Sequence, residues 1–91
     1  MTILDEAKVL VLGDRQESYG HPIENWDRTA RILSAIWHDK LTEPLTAEEA
    51  LLGMQGIKIA REIHSPKRDN RVDGAGYWQA LDMVREARRD E

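Results

Sequence analysis

The stretch Lys58–Tyr77, KIAREIHSPKRDNRVDGAGY, carries charges where helical geometry expects a core. On a helical wheel begun at Ala47, Lys58 and Arg61 fall on the side of Ala50, Leu51, Met54 and Ile57. On one begun at Val72, Asp73 lies within the arc of Gly76, Tyr77, Ala80, Val84 and Ala87. Burying a lone charge costs several kcal/mol or more, so such residues find partners. Inward cations on one helix and an inward anion on the next therefore predict a shared polar centre, with Asp73 largely buried against Lys58 or Arg61. A purely structural ion-pair network is the competing reading of these residues.

Other candidates lie upstream. Residues Asp14–Pro22, DRQESYGHP, combine turn formers with rings and read as an ordered loop carrying Arg15, Tyr19 and His21. Tyr19, His21 or Trp26 could stack on a base. Arg15 and Lys67 or Arg68 add loop cations to Lys58 and Arg61. Glu24, Asp27 and Arg31 lie along one edge of the next helix, where the acids also suit a first helical turn. His21, beside Pro22, reads either as a base or as a capping residue.

The elements that must position these residues are all helical. Thr2 caps a first helix whose face is Ile3, Leu4, Ala7, Leu10 and Val11, with Gly13 as the expected stop. A second begins near Pro22, with Ile23, Trp26, Ala30, Leu33 and Trp37 as its apolar stripe. Thr46 followed by Glu49 marks a capping box opening a third helix, Ala47–Ile63. That helix carries a second apolar side, Leu52, Ile59, Ala60 and Ile63, leaving a narrow polar strip through Glu48, Gln55 and Glu62. Gly53 and Gly56 each cost about 1 kcal/mol of helix propensity, which points to close approach of another backbone. A fourth helix starts near Asn70 or Arg71, capped by Asp69 or Asn70, with Trp78 off its stripe and a solvated tail from Arg85 to Glu91. The expectation is one all-α domain over residues 1–91, a compact bundle of about four helices. The two-sided third helix further predicts a homo-oligomer.

Composition narrows the function classes. With 33% charged and 41% hydrophobic residues, the chain reads as a folded domain, not a disordered one. The absence of cysteine rules out a disulfide framework or a thiolate zinc site. A net charge of −4 argues against general nucleic-acid binding, which requires phosphate neutralisation. No apolar run approaches the roughly 20 residues of a membrane span, and the expected location is cytoplasmic. No glycine-rich phosphate loop follows a strand, so a P-loop enzyme is excluded.

The segments Arg15–Tyr19-Gly20-His21-Pro22, Glu24-Asn25-Trp26, Lys58-Ile59-Ala60-Arg61 and Asp69-Asn70…Asp73-Gly74-Ala75-Gly76-Tyr77 resemble a small family of phage and prophage proteins of unknown function. The DN-x-x-D-x-x-GY element is the most specific part. More remotely, the layout is similar to the MazG-like all-α nucleoside triphosphate pyrophosphatases, which pair acidic elements on two helices around Mg²⁺. That resemblance implies Glu24 and Asp27 as one element, and Asp69 or Asn70 with Asp73 as the other. Glu24, Asp27, Asp69 and Asp73 would bind Mg²⁺, with Glu24, Asp27 and Asp73 catalytic. Arg15, Tyr19, His21, Lys58, Arg61, Asn70 and Tyr77 would hold the nucleotide. Hard carboxylate oxygens suit Mg²⁺, and pyrophosphohydrolysis needs an activated water and cations on the departing diphosphate. The doubled glutamate usual before the first element is absent, and Asn70 replaces one carboxylate. The alternative expectation is a non-catalytic phage accessory protein that sequesters a nucleotide or binds a host protein.

Overall fold

The structure, a computed structural model, describes residues 1–89. Helix α1 (Ile3–Val9) begins at a capping box: the Thr2 hydroxyl accepts from the Asp5 amide, and the Asp5 carboxylate accepts from the Thr2 amide. The helix does not stop at Gly13. A π-helical turn, Leu10–Asp14, carries it onward into α2 (Arg15–Tyr19), with the Arg15 amide donating to the Leu10 carbonyl five residues back. Residues read from the sequence as a loop are thus mostly helix. The stop is Gly20, whose φ of 83° belongs to the left-handed region that glycine adopts without strain.

Helix α3 (Pro22–Ile36) has proline in its first turn, as expected, and the His21 ring Nδ1 accepts from the Ile23 amide as its cap. Its far end differs from the sequence reading. Trp37 lies beyond the last turn and is 52% exposed, whereas Ala30 is buried and Ile23 and Trp26 pack on the core. The connection to α4 is pinned by Ser34, whose hydroxyl donates to the Ala30 carbonyl and accepts from the Leu45 amide.

Helix α4 (Ala47–His64) opens with the expected Thr46–Glu49 capping box. Helix α5 (Arg68–Arg89) starts earlier than predicted, so Asp69 and Asn70 lie inside its first turn and do not cap it. Helices α4 and α5 form the most extensive pairing, with α1 against α5 and α3 against α4. The core is Ala47, Leu51, Tyr77, Ala80, Leu81 and Val84, with Ile23, Trp26 and Met54 around it. Among the described residues there is no strand, and no helix is long and apolar enough to cross a membrane.

The orientation of α4 departs from the sequence reading in one respect: Ala50, Leu51, Met54 and Lys58 face inward as expected, but the polar strip does so too. Its inward row runs Ala47, Leu51, Gln55, Lys58 and Glu62, so the polar strip faces α5 and not solvent. Leu52, Ile59 and Ile63 face out, at 45%, 60% and 80% exposure. The physical reason lies on α5, which supplies a partner for each polar group. Arg88 meets Glu48, the Gly74 carbonyl accepts from Gln55, and Asn70 and Arg71 meet Glu62. Buried polar groups are tolerated when paired in this way.

Glu62 ties the α4–α5 hairpin. Its carboxyl is held below the ordinary glutamate range, first by the Lys67 backbone N–H, then by the Asn70 amide, with Arg71 adding to both. A carboxyl lowered on folding contributes stability that is complete at neutral pH and is lost as pH falls through the folded value. The melting-temperature gap between wild type and Glu62→Gln should therefore be widest near pH 7 and close on acidification. A gap independent of pH would show that the contribution is not ionic.

Candidate functional site

A cavity of about 290 Å³ opens between the α1–α2 segment, α3 and α5. Its polar lining is Arg15, Gln16, Asn25 and Asp73, and its rings are Tyr19, Trp26 and Tyr77. Leu10 and Val11 of the π-turn form part of the wall, so the wide turn stands at the site itself. Such turns are frequent at functional sites. Close packing on the α5 side depends on Gly76, where a Cβ would come within 3.1 Å of Val11 Cγ2.

The rings have distinct roles. Trp26 meets Tyr77 edge-on, with centroids 5.9 Å apart and planes at 88°, which fixes both as walls. Tyr19 is 57% exposed and stands at the rim, free to lie against a ligand.

Asp73 sits between two cations. The Lys58 ammonium is 2.8 Å from its Oδ2, and both side chains are mostly buried. Arg15 approaches Oδ1 at 3.6 Å and its side chain is 42% exposed. At that separation the Arg15 contact is not a hydrogen bond. Lys58 thus satisfies Asp73, and Arg15 is a cation held loosely at the cavity wall.

The predicted polar centre of Lys58 and Asp73 therefore exists, with a different third member. Arg61 is exposed and takes no part in the Asp73 ion pairs. Burial on its side of α4 fades along the helix: Ala50 is 5% exposed, Ile57 already 42%. Arg15, Tyr19 and Tyr77 line the cavity as expected, but His21 caps α3 and is not part of the lining. Asn70 is buried, and its amide donates to Glu62, not to the cavity.

The carboxylates named for a metal are dispersed. Asp27 accepts from Arg88 Nη2 at 2.8 Å, in a cluster with Glu48 at the opposite end of α5 from Asp69. Asp73 is held by Lys58, while Glu24 and Asp69 are exposed. Among the described residues, no group of three or more histidine, cysteine, aspartate or glutamate side chains is placed to hold a metal ion. With Asp27 and Asp73 already paired with cations on separate parts of the fold, the four do not fit one shared Mg²⁺.

Two positioning residues escaped the sequence reading. Gln55 donates to the Gly74 carbonyl at 2.8 Å and so sets the α5 backbone next to Asp73. Arg88, read as part of a solvated tail, bridges three helices through Asp27 and Glu48, and these, Asp27 first, hold it still more firmly protonated than a free arginine. The signal for both is positional. Gln55 lies one turn from Leu51, and Arg88 continues the buried row Tyr77, Leu81, Val84.

Residues 2–85 match the family described as a domain of unknown function (DUF6378). The chain belongs to this family. Among curated proteins, the DUF6378 chain is 33% identical over 86 residues to the Gene 55 protein of Mycobacterium phage D29. That match covers 93% of this chain and 54% of the phage protein, so the chain spans about half the length of the relative. No solved structure matches it. The resemblance to a phage family of unknown function, drawn from the YGHP and DN-x-x-D-x-x-GY elements, is thereby established, and the match takes in all the cavity residues.

The two cations around Asp73 should behave differently. Asp73→Asn leaves the mostly buried Lys58 without its counter-charge and should destabilise this DUF6378 domain by about 3 kcal/mol, the low end for a broken buried pair. Arg15→Met removes a long, half-exposed contact and should cost less than about 1 kcal/mol. Denaturant titration of both variants checks this, and equal losses would make Arg15 a structural residue.

Proposed function

We propose that this DUF6378 domain binds a nucleotide at the cavity through its base and a single phosphate, and acts by holding that ligand. The observation that carries the reading is the loosely paired Arg15 guanidinium beside an aromatic-walled cavity. A flat ring can lie against Tyr19, with Asn25 and Gln16 available to its hydrogen-bonding edge. A phosphate oxygen offers Arg15 a shorter, charge-assisted partner than Asp73 does at 3.6 Å. Lys58 stays with Asp73, so the exchange leaves no buried charge unpaired.

Size favours a monophosphate. About 290 Å³ lies at the lower edge of small-molecule pockets, which run from roughly 300 to 1,000 Å³. Binding of this kind requires no Mg²⁺. The pyrophosphohydrolase reading requires carboxylates of two helices around one ion, and the pairing of Asp27 with Arg88 and of Asp73 with Lys58 gives it no support. Sequestration by a phage-family protein therefore becomes the preferred activity.

Calorimetric titration with the four deoxynucleoside monophosphates and their triphosphates, with and without Mg²⁺, tests this. At least one monophosphate should bind without metal, no more weakly than its triphosphate. Arg15→Met should weaken it about 10- to 100-fold, the equivalent of one hydrogen bond to a charged group. Absence of binding across the panel would reject the proposal. Mg²⁺-dependent pyrophosphate release that disappears in Glu24→Gln would restore the hydrolase reading in its place.

A further inference from the structure

The outward face of α4 has no function in the fold described so far. Leu52, Ile59 and Ile63 stand in water, and Gly53 and Gly56 have nothing within 4 Å of where a Cβ would be. Each glycine costs helix propensity, and no intrachain contact accounts for it. The molecule is also flat, 41 × 35 × 21 Å, with a radius of gyration of 13.8 Å against about 12 Å expected for this length.

We propose that this face packs against the same face of a second copy, antiparallel, about a two-fold axis at Gly56. The argument is self-complementarity. With Gly56 opposite Gly56, the antiparallel register sets Leu52 against Ala60 and Gly53 against Ile59. Leu52 and Ile59 then each meet a small residue, and the two backbones approach at the paired glycines. Glu49, exposed near the acidic N-terminal end of α4, comes opposite Ile63 with His64 beside it, at the end that carries Arg61 and His64. The acidic first turn of one α4 thus lies beside the basic last turn of the other, the arrangement the helix dipole favours. A parallel pairing instead opposes Leu52 to Leu52, Ile59 to Ile59 and Glu49 to Glu49. The same patch serving both subunits is what a two-fold interface requires.

Sedimentation equilibrium of the full chain at micromolar concentration should give twice the 10.5 kDa chain mass. Ile63→Asp should give a monomer with unchanged helical circular dichroism, because that side chain is already 80% exposed within one copy. Gly56→Leu, which enters open space in the single chain, should keep the helical circular dichroism of wild type yet fail to dimerise. The chain has no cysteine, so single replacements report the register: Gly56→Cys should oxidise to a covalent dimer and Glu49→Cys should not. A wild-type monomer, a dimer that survives both Ile63→Asp and Gly56→Leu, or crosslinking of Glu49→Cys as ready as that of Gly56→Cys would each overturn the proposal.

Discussion

The rest of the structure depends on the polar seam between α4 and α5. Glu48, Gln55, Lys58 and Glu62 lie along one side of α4, and each finds a complementary group on α5. Such groups gain little over their hydrogen bonds to water, yet cost a great deal if buried without partners. The seam therefore selects one register strongly. Sliding α5 by a turn would separate Arg88 from Glu48, the Gly74 carbonyl from Gln55 and Asp73 from Lys58 together. Apolar packing alone would not be so selective, since among the described residues only Leu51 and Val84 are large side chains fully enclosed.

The cavity follows from that register. Asp73 faces Lys58 because Gln55, one turn earlier on α4, holds the α5 backbone at Gly74. Tyr77, one turn beyond Asp73, then meets Trp26 edge-on and closes the wall from α3. Arg15 completes the site from the N-terminal segment without being needed to neutralise anything. A tightly paired, mostly buried cation and a loosely held, half-exposed one thus sit side by side on one carboxylate.

Helix identity was legible in the sequence wherever local chemistry decides it. The Thr2 and Thr46 capping boxes, Pro22 in a first turn and the stripe around Trp26 all act within one or two turns of chain. Lys58 and Asp73 were legible as a pair because their wheel positions demanded partners. What was not legible for α4 was the inward facing of its polar strip, because partners for Glu48, Gln55 and Glu62 come from α5. Gly13 misled for a related reason: a glycine is a stop only when it takes a positive φ, and here Gly20 does so. The separation of Asp27 from Asp73 went unread because Arg88 claims Asp27 from 61 residues away. Local spacing carries no information about a claim over that distance.

The π-turn at Leu10–Asp14 sets the phase of everything that follows it up to Gly20. One residue on a helix corresponds to about 100° of rotation and 1.5 Å of rise. The wide turn takes up such an offset, letting Val11 pack on Gly76 while Arg15 still points toward Asp73. A relative one residue shorter in this stretch could keep the same apolar packing along α1 and still lose the cation from the cavity. The length of this segment therefore decides whether the apolar packing of α1 and the cation beside Asp73 can be kept together.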